Sequence, residues 1–99
     1  MREVIIPRAL WRKIADIKNY LVVDLRLSEE AAEARINRME VFLSSLSNET
    51  ANYALCRFAR WRLLGYRCAV FEKHWIFTYE IIDGGVIIRD MSPTAALAE

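Results

Sequence analysis

Residues 75–91, WIFTYEIIDGGVIIRDM, contain two apolar runs that Asp83, Gly84 and Gly85 separate. Both runs are rich in aromatic and β-branched residues, which favour β-strands. Glycine readily adopts the positive φ that tight hairpin turns require. This stretch therefore predicts a β-hairpin. With a further strand over residues 66–71, it predicts a three-stranded meander in the C-terminal part of the chain.

The alternating direction of side chains along residues 75–82 gives the predicted strand one aromatic face and one mixed face. Neighbouring side chains of a strand point to opposite faces, so Trp75, Phe77 and Tyr79 share one face. A tight glycine turn then adds Val86 and Ile88 to the same face. We expect this aromatic face to pack against helices, which makes Tyr79 a core residue.

The opposite, mixed face is predicted to carry a charged row across three strands. A two-residue turn at residues 73–74 would place Arg67 directly across from Glu80, with Arg89 on the same face. The apolar neighbours of this row are Ala69, Phe71, Ile76, Ile82, Ile87 and Met91. A free sheet face this apolar predicts a partner-binding surface, although scattered apolar residues are also common on protein surfaces.

The N-terminal half predicts a short edge strand and a helical hairpin. Residues 3–6 are β-branched, and Pro7 suits the first turn of a helix that continues to about Leu25. Its apolar stripe is Leu10, Ile14, Ile17 and Leu21. Ser28 is a favourable N-cap for a second helix, and the stripe of that helix is Ala32, Ile36, Met39, Leu43 and Leu46.

Residues 51–64 are ambiguous between a loop and a short third helix, which Gly65 would end. The whole chain then predicts one α+β domain over residues 1–99, in the order β-α-α-(α)-β-β-β. The helical hairpin is expected to pack on one face of a small antiparallel sheet.

Charge is balanced overall but not locally. The formal net charge is +1, which gives no signal for general nucleic-acid binding. Residues 57–67, however, contain Arg57, Arg60, Arg62 and Arg67 without any acidic residue. This cluster predicts a specific contact with an anionic partner, or alternatively a solvated helix face.

The two cysteines, Cys56 and Cys68, lack the spacing of a metal site. The N-terminal residues show no secretory signal, and no apolar run approaches the length of a membrane span. The sequence therefore predicts free, buried thiols in a reducing cytosol, with no membrane association, metal or cofactor.

Two stretches resemble the RelE/ParE family of bacterial type II toxins. EVIIPRALWRKIADIKNYL is similar to the family's opening strand and first helix, and GYRCAVFEKHWIFTYEIIDGGVIIRDMS to its final hairpins. The resemblance spans nearly the whole chain. It implies a cytoplasmic toxin of a plasmid-stabilisation system that a cognate antitoxin neutralises. RelE-type members cut messenger RNA on the ribosome, whereas ParE-type members act on DNA gyrase.

A nuclease centre without metal needs a base, cations near the phosphate and an acid. The candidates for these roles in this chain are Arg67, His74 and Arg89. His74, however, lies in a predicted turn, where it would be solvated. In the RelE-type pattern, basic residues are frequent where this chain has Ala69 and Ile76. In close members of the family that the chain resembles, histidine is frequent where this chain has Pro93.

The departures from the nuclease pattern favour the ParE-like branch. The alternatives are a ribosome-dependent endoribonuclease and an inert relative that retains only antitoxin binding. The predicted surface for the antitoxin or target comprises Arg57, Arg60, Arg62, Arg67, Phe71, Ile76, Glu80, Ile87, Arg89 and Met91.

Overall fold

The computed structural model describes residues 1–50 and 52–94 and shows an α+β fold. Three helices, α1 (Arg8–Val23), α2 (Glu29–Ser45) and α3 (Ala59–Leu63), accompany four strands, β1 (Glu3–Ile5), β2 (Arg67–Phe71), β3 (Trp75–Ile82) and β4 (Gly85–Pro93). The predicted element order is therefore confirmed. Helix α3 is much shorter than the segment considered for it, and Ala51 of that segment lies outside the described residues.

The four strands form one mixed sheet in the order β1-β4-β3-β2. Strand β3 pairs antiparallel with β2 and β4, whereas β1 pairs parallel with β4 at the sheet edge. The edge position of β1 was predicted, but the wholly antiparallel sheet was wrong. No turn joins β1 to β4, because the helices and two strands intervene, so local turn chemistry does not fix their relative direction.

The helical hairpin forms as the apolar spacing predicts. All four stripe residues of α1 are buried, and so are Ala32, Ile36, Met39 and Leu43 of α2. The Ser28 hydroxyl accepts a hydrogen bond from the Ala31 N–H at 3.1 Å, which confirms Ser28 as the N-cap. These stripes pack with the aromatic sheet face in one core cluster.

The aromatic face of β3 lies at the centre of that core. Phe77 and Tyr79 are fully buried, as are Val86 and Ile88 of β4, which confirms their predicted face. The Tyr79 hydroxyl accepts a hydrogen bond from the backbone N–H of Tyr53 at 2.9 Å. The core therefore holds the chain that precedes α3 as well as the two long helices.

The register of β2 differs from the prediction by one residue. Phe71 pairs with Trp75, so the turn contains residues 72–74 rather than two residues. Glu72 and Lys73 adopt positive φ values of 48° and 66° within this turn. Because one residue of slippage exchanges the two faces, Arg67 pairs with Tyr79 and does not lie across from Glu80.

This register also moves side chains that were predicted on the mixed face. Ala69 and Phe71 lie on the core face and are buried. The pairing of β3 with β4 shifts register between Thr78 and Tyr79 of β3. Met91 of β4 therefore pairs with Phe77 and is buried as well. The predicted exposure of Phe71 and Met91 to a partner was therefore wrong. Turn length and a bulge, rather than strand composition, decide these positions.

Gly85 marks a close approach between β4 and β1. A Cβ atom at this position would collide with the carbonyl oxygen of Glu3. The Glu3 N–H donates a hydrogen bond to the Gly84 oxygen at 3.0 Å, which holds β1 beside the hairpin. The glycine at position 85 thus serves the β1–β4 contact, whereas Gly84, with a φ of 78°, serves the turn.

Gly85→Ala is expected to displace β1 and to lower the free energy of unfolding by about 1–3 kcal/mol, because the new methyl group has no space. Amide hydrogen exchange should show that the Glu3 N–H loses its protection. Gly84→Ala is the control, since its Cβ meets no atom within 4 Å and costs only backbone strain. Equal loss of Glu3 protection in both variants would contradict this assignment.

Candidate functional site

The segment before β2 is fastened to the open edge of the sheet. Leu55 forms an antiparallel bridge with Arg67. The Cys56 N–H donates to the Tyr66 oxygen at 3.0 Å, and the Cys68 N–H donates to the Ala54 oxygen at 3.2 Å. These bonds bring the two ends of residues 56–68 together. We refer to residues 56–68 as the basic loop.

A disulfide between Cys56 and Cys68 closes the basic loop. Cys56 is 1% exposed, whereas Cys68 is half-buried and borders a surface cleft, so the bond is accessible from the Cys68 side. The prediction of free thiols was wrong, because the antiparallel bridge between Leu55 and Arg67 brings Cys56 beside Cys68 of β2, twelve residues further along the chain. Every arginine of the cluster lies between these cysteines.

The basic loop covers part of the sheet face that points away from the helical hairpin. Trp61 is 6% exposed, and its ring meets Phe58 edge-on with centroids 5.3 Å apart. These rings and Arg57 border a cleft of about 210 Å³, together with Val70 and Ile76 of the outer sheet face. The outer face is therefore covered in part, with Ile76 half-buried and Val70 still 51% exposed, so the open apolar face is smaller than predicted.

Three arginines of the basic loop, Arg57, Arg60 and Arg62, are exposed to solvent. The Arg60 guanidinium lies 5.1 Å from the Phe58 ring centroid and 5.7 Å from that of Trp61. Arg62 donates a hydrogen bond to the Arg57 oxygen at 3.0 Å. Within residues 1–50 and 52–94, none of the three forms an ion pair.

Arg67 has a structural contact instead of the predicted charged partner. Its Nη1 donates a hydrogen bond to the Tyr53 oxygen at 2.6 Å, and the residue is half-buried. The bond joins β2 to the residue whose N–H binds the Tyr79 hydroxyl. Arg67 therefore helps to hold the chain that leads into the basic loop.

Arg89 and Glu80 form the ion pair that the mixed face predicted. The Arg89 Nε and Nη2 lie 3.0 Å and 2.5 Å from the same Glu80 oxygen, and this hydrogen bond raises the pKa of Arg89. The Tyr66 ring lies 5.9 Å from the Arg89 guanidinium carbon. Ile87 pairs with Glu80 and is half-buried, as is Ile76 on β3. A smaller charged and apolar area thus remains beside the basic loop.

His74 lies at the other end of β3 from the two arginines. It is an exposed turn residue, as predicted, and its N–H donates to the Phe71 oxygen at 3.1 Å. Tyr79, the partner of Arg67, is five positions further along the chain, which corresponds to about 16 Å of extended strand. Arg67 points to the core face and Arg89 to the outer face. The three candidate nuclease residues are therefore not assembled into one site.

A groove of about 600 Å³ adjoins His74. Its lining residues are Asp16, Ile17, Tyr20, Leu21, Leu25, Arg35, His74, Trp75, Pro93 and Thr94. The Thr94 hydroxyl donates a hydrogen bond to the Lys73 oxygen at 3.0 Å, which ties the end of β4 to the turn. The groove is mainly apolar and lies on the helix side of the sheet, away from the basic loop.

Glu72 anchors the same turn to α2 through an ion pair with Arg38. The Arg38 Nε lies 2.6 Å from a Glu72 oxygen. This hydrogen bond holds the pKa of Glu72 below its usual value and raises the pKa of Arg38. The contact fixes a turn whose positive φ values have no glycine to favour them.

Glu72→Gln should lower stability slightly at neutral pH and not at acid pH. A carboxylate with a lowered folded pKa stabilises the fold above its unfolded pKa, and that stabilisation is lost as the pH falls through the folded pKa. Melting curves of both proteins should therefore converge in acid. Glu40→Gln, at an exposed α2 position, is the control. A pH-independent difference would contradict the ion-pair assignment.

Sequence reasoning missed the disulfide and the two rings that support Arg60. The only available signal was that one cysteine stands at each end of the arginine cluster. The candidate surface of the described structure therefore centres on the basic loop, with the Arg89–Glu80 pair beside it. No group of three metal-ligating side chains occurs in the described part of the chain.

No protein-family model, curated protein or solved structure matches this chain. Among the helices of the described residues, none has the length and apolar character needed to cross a bilayer.

Proposed function

We propose that this chain is the toxin component of a bacterial type II toxin–antitoxin system with a RelE/ParE-like fold, acting in the cytoplasm. It inhibits growth by binding a cellular target, with DNA gyrase as the candidate, and a cognate antitoxin neutralises it. The observation that carries the proposal is the set of exposed arginines without ion pairs on the basic loop, whose own residues include no aspartate or glutamate. The resemblance of the opening and closing stretches to RelE/ParE toxins supports the same function.

The geometry favours protein binding over RNA cleavage. Arg67 donates to a backbone oxygen, Arg89 is paired with Glu80, and His74 occupies the far turn. General acid–base catalysis requires its groups within hydrogen-bond reach of one substrate. The ribonuclease and the inert relative remain the alternatives that the growth experiment separates from target binding.

Induced expression without an antitoxin is expected to arrest growth and to elicit a DNA-damage response while messages stay intact. Replacing all three residues, Arg57, Arg60 and Arg62, by serine should relieve the arrest, because the anionic groups of the target lose their cationic partners. Serine at the exposed residues Arg8 and Arg12 of α1 is the control and should leave toxicity unchanged. Cuts within translated codons would support the ribonuclease instead, and undisturbed growth with soluble wild-type protein would support the inert relative.

A further inference from the structure

The arginines of the basic loop lack local charge compensation. Residues 52–71 contain no aspartate or glutamate, and the described ion pairs all involve other residues. Arg57 also borders the apolar cleft, where Val70 is 51% exposed. An arginine at the edge of an apolar cleft, with two more exposed on the same loop, suits a polypeptide that offers carboxylates and an apolar anchor together.

The same surface suits single-stranded RNA less well. RNA recognition by such a loop would use aromatic rings on which unpaired bases stack. Trp61 is almost fully buried, and Arg60 already lies over the Phe58 ring. The available chemistry is therefore guanidinium groups beside aliphatic side chains, which favours an acidic peptide.

The disulfide controls how firmly this surface is held. Its two cysteines are the first and last residues of the basic loop. Helix α3 has five residues, too few to be stable by itself. Only two backbone hydrogen bonds, Cys56 to Tyr66 and Cys68 to Ala54, otherwise join the ends of the loop among the described residues. Opening the disulfide would therefore leave the burial of Trp61 as the main contact that holds the arginine-bearing segment.

We propose that the basic loop is a redox-gated docking surface for an acidic segment of a partner protein. The closed disulfide holds Arg57 at the cleft, with Arg60 and Arg62 exposed on the same loop. Reduction loosens the loop and weakens the binding without abolishing it, so the protein keeps part of its activity in a reducing cytoplasm. In the reducing step, two thiols such as glutathione form one disulfide, and Cys56 and Cys68 gain the two electrons and two protons as free thiols. This inference rests on the proposed function, because the partner protein is taken to be the cellular target proposed there.

Fluorescence anisotropy on the purified full-length chain tests this surface. The probes are a labelled peptide of alternating glutamate and leucine, its lysine-for-glutamate analogue, and a labelled oligouridine. The oxidised protein is expected to bind the acidic peptide about tenfold more tightly than the protein treated with dithiothreitol. The arginine-to-serine triple variant at 57, 60 and 62 should lose this binding, and the Arg8 and Arg12 variant should keep it.

The double variant C56S/C68S should show the weaker affinity with or without dithiothreitol. Circular dichroism of the reduced wild-type protein verifies that the fold persists, so the result does not depend on the double variant folding. Equal affinity before and after reduction, or tighter binding of the lysine peptide or oligouridine, would overturn the proposal. Growth arrest without peptide binding would refute this inference alone. Peptide binding without growth arrest would refute the proposed function.

Discussion

Phe77→Ala is expected to lower the free energy of unfolding by about 3–5 kcal/mol, the usual cost of truncating a buried phenylalanine. Phe77 is fully buried, and its ring lies near Phe42 and Phe71, with centroids 6.0 Å and 6.5 Å away. Small domains are typically stable by about 5–15 kcal/mol. This single substitution would therefore remove a large share of the total stability.

Urea denaturation followed by circular dichroism measures the effect. Val41→Ala on α2 is the control, because Val41 is 70% exposed and its truncation should change stability by about 0.5 kcal/mol or less. An unchanged denaturant slope would show that the variant unfolds as one unit, like the wild type. A Phe77→Ala midpoint close to that of Val41→Ala would contradict the central role of this ring.

Helices and the inner face of β3 were predictable because each follows from a local period. The stripes of α1 and α2 have helical spacing, and the alternation from Trp75 to Tyr79 identifies the core face of β3. Asp83 and Gly84 form the expected two-residue turn, since Ile82 pairs with Gly85. In these places, neighbouring residues alone determine which side chains the core receives.

The face of β2 was not predictable in the same way. Its register depends on the length of the turn, and residues 72–74 contain no glycine to indicate positive φ. One extra turn residue exchanges the two faces of the strand. That exchange brings Ala69 and Phe71 into the core and takes Arg67 away from Glu80.

The candidate site was predictable only as a set of charges. The acid-free run identified Arg57, Arg60 and Arg62, but their support comes from contacts between distant parts of the chain. The pairing of Leu55 with Arg67 brings the cysteines together, and Trp61 packs over the outer sheet face. Periodicity over a five-residue helix carries too little information to predict either contact.

Trp61→Ala is expected to open the basic loop while the main core stays folded. Trp61 is the one residue of α3 that is buried, and truncating a buried tryptophan costs about 3–5 kcal/mol. The loop depends on this side chain, since the Trp61 ring packs edge-on against Phe58 and borders the cleft on the outer sheet face. The free energy lost is therefore expected to appear as local opening rather than global unfolding.

Native-state hydrogen exchange distinguishes these two outcomes for Trp61→Ala. The amides of Cys56 and Tyr66 should lose most of their protection, whereas those of β3 should keep theirs. Trp11→Ala is the matched control, because Trp11 lies on α1 and is 43% exposed. Equal loss of protection in β3 and in the loop would instead make Trp61 part of the global core. The arginine surface would then be as rigid as the sheet, and gating by the disulfide would have no mobile element on which to act.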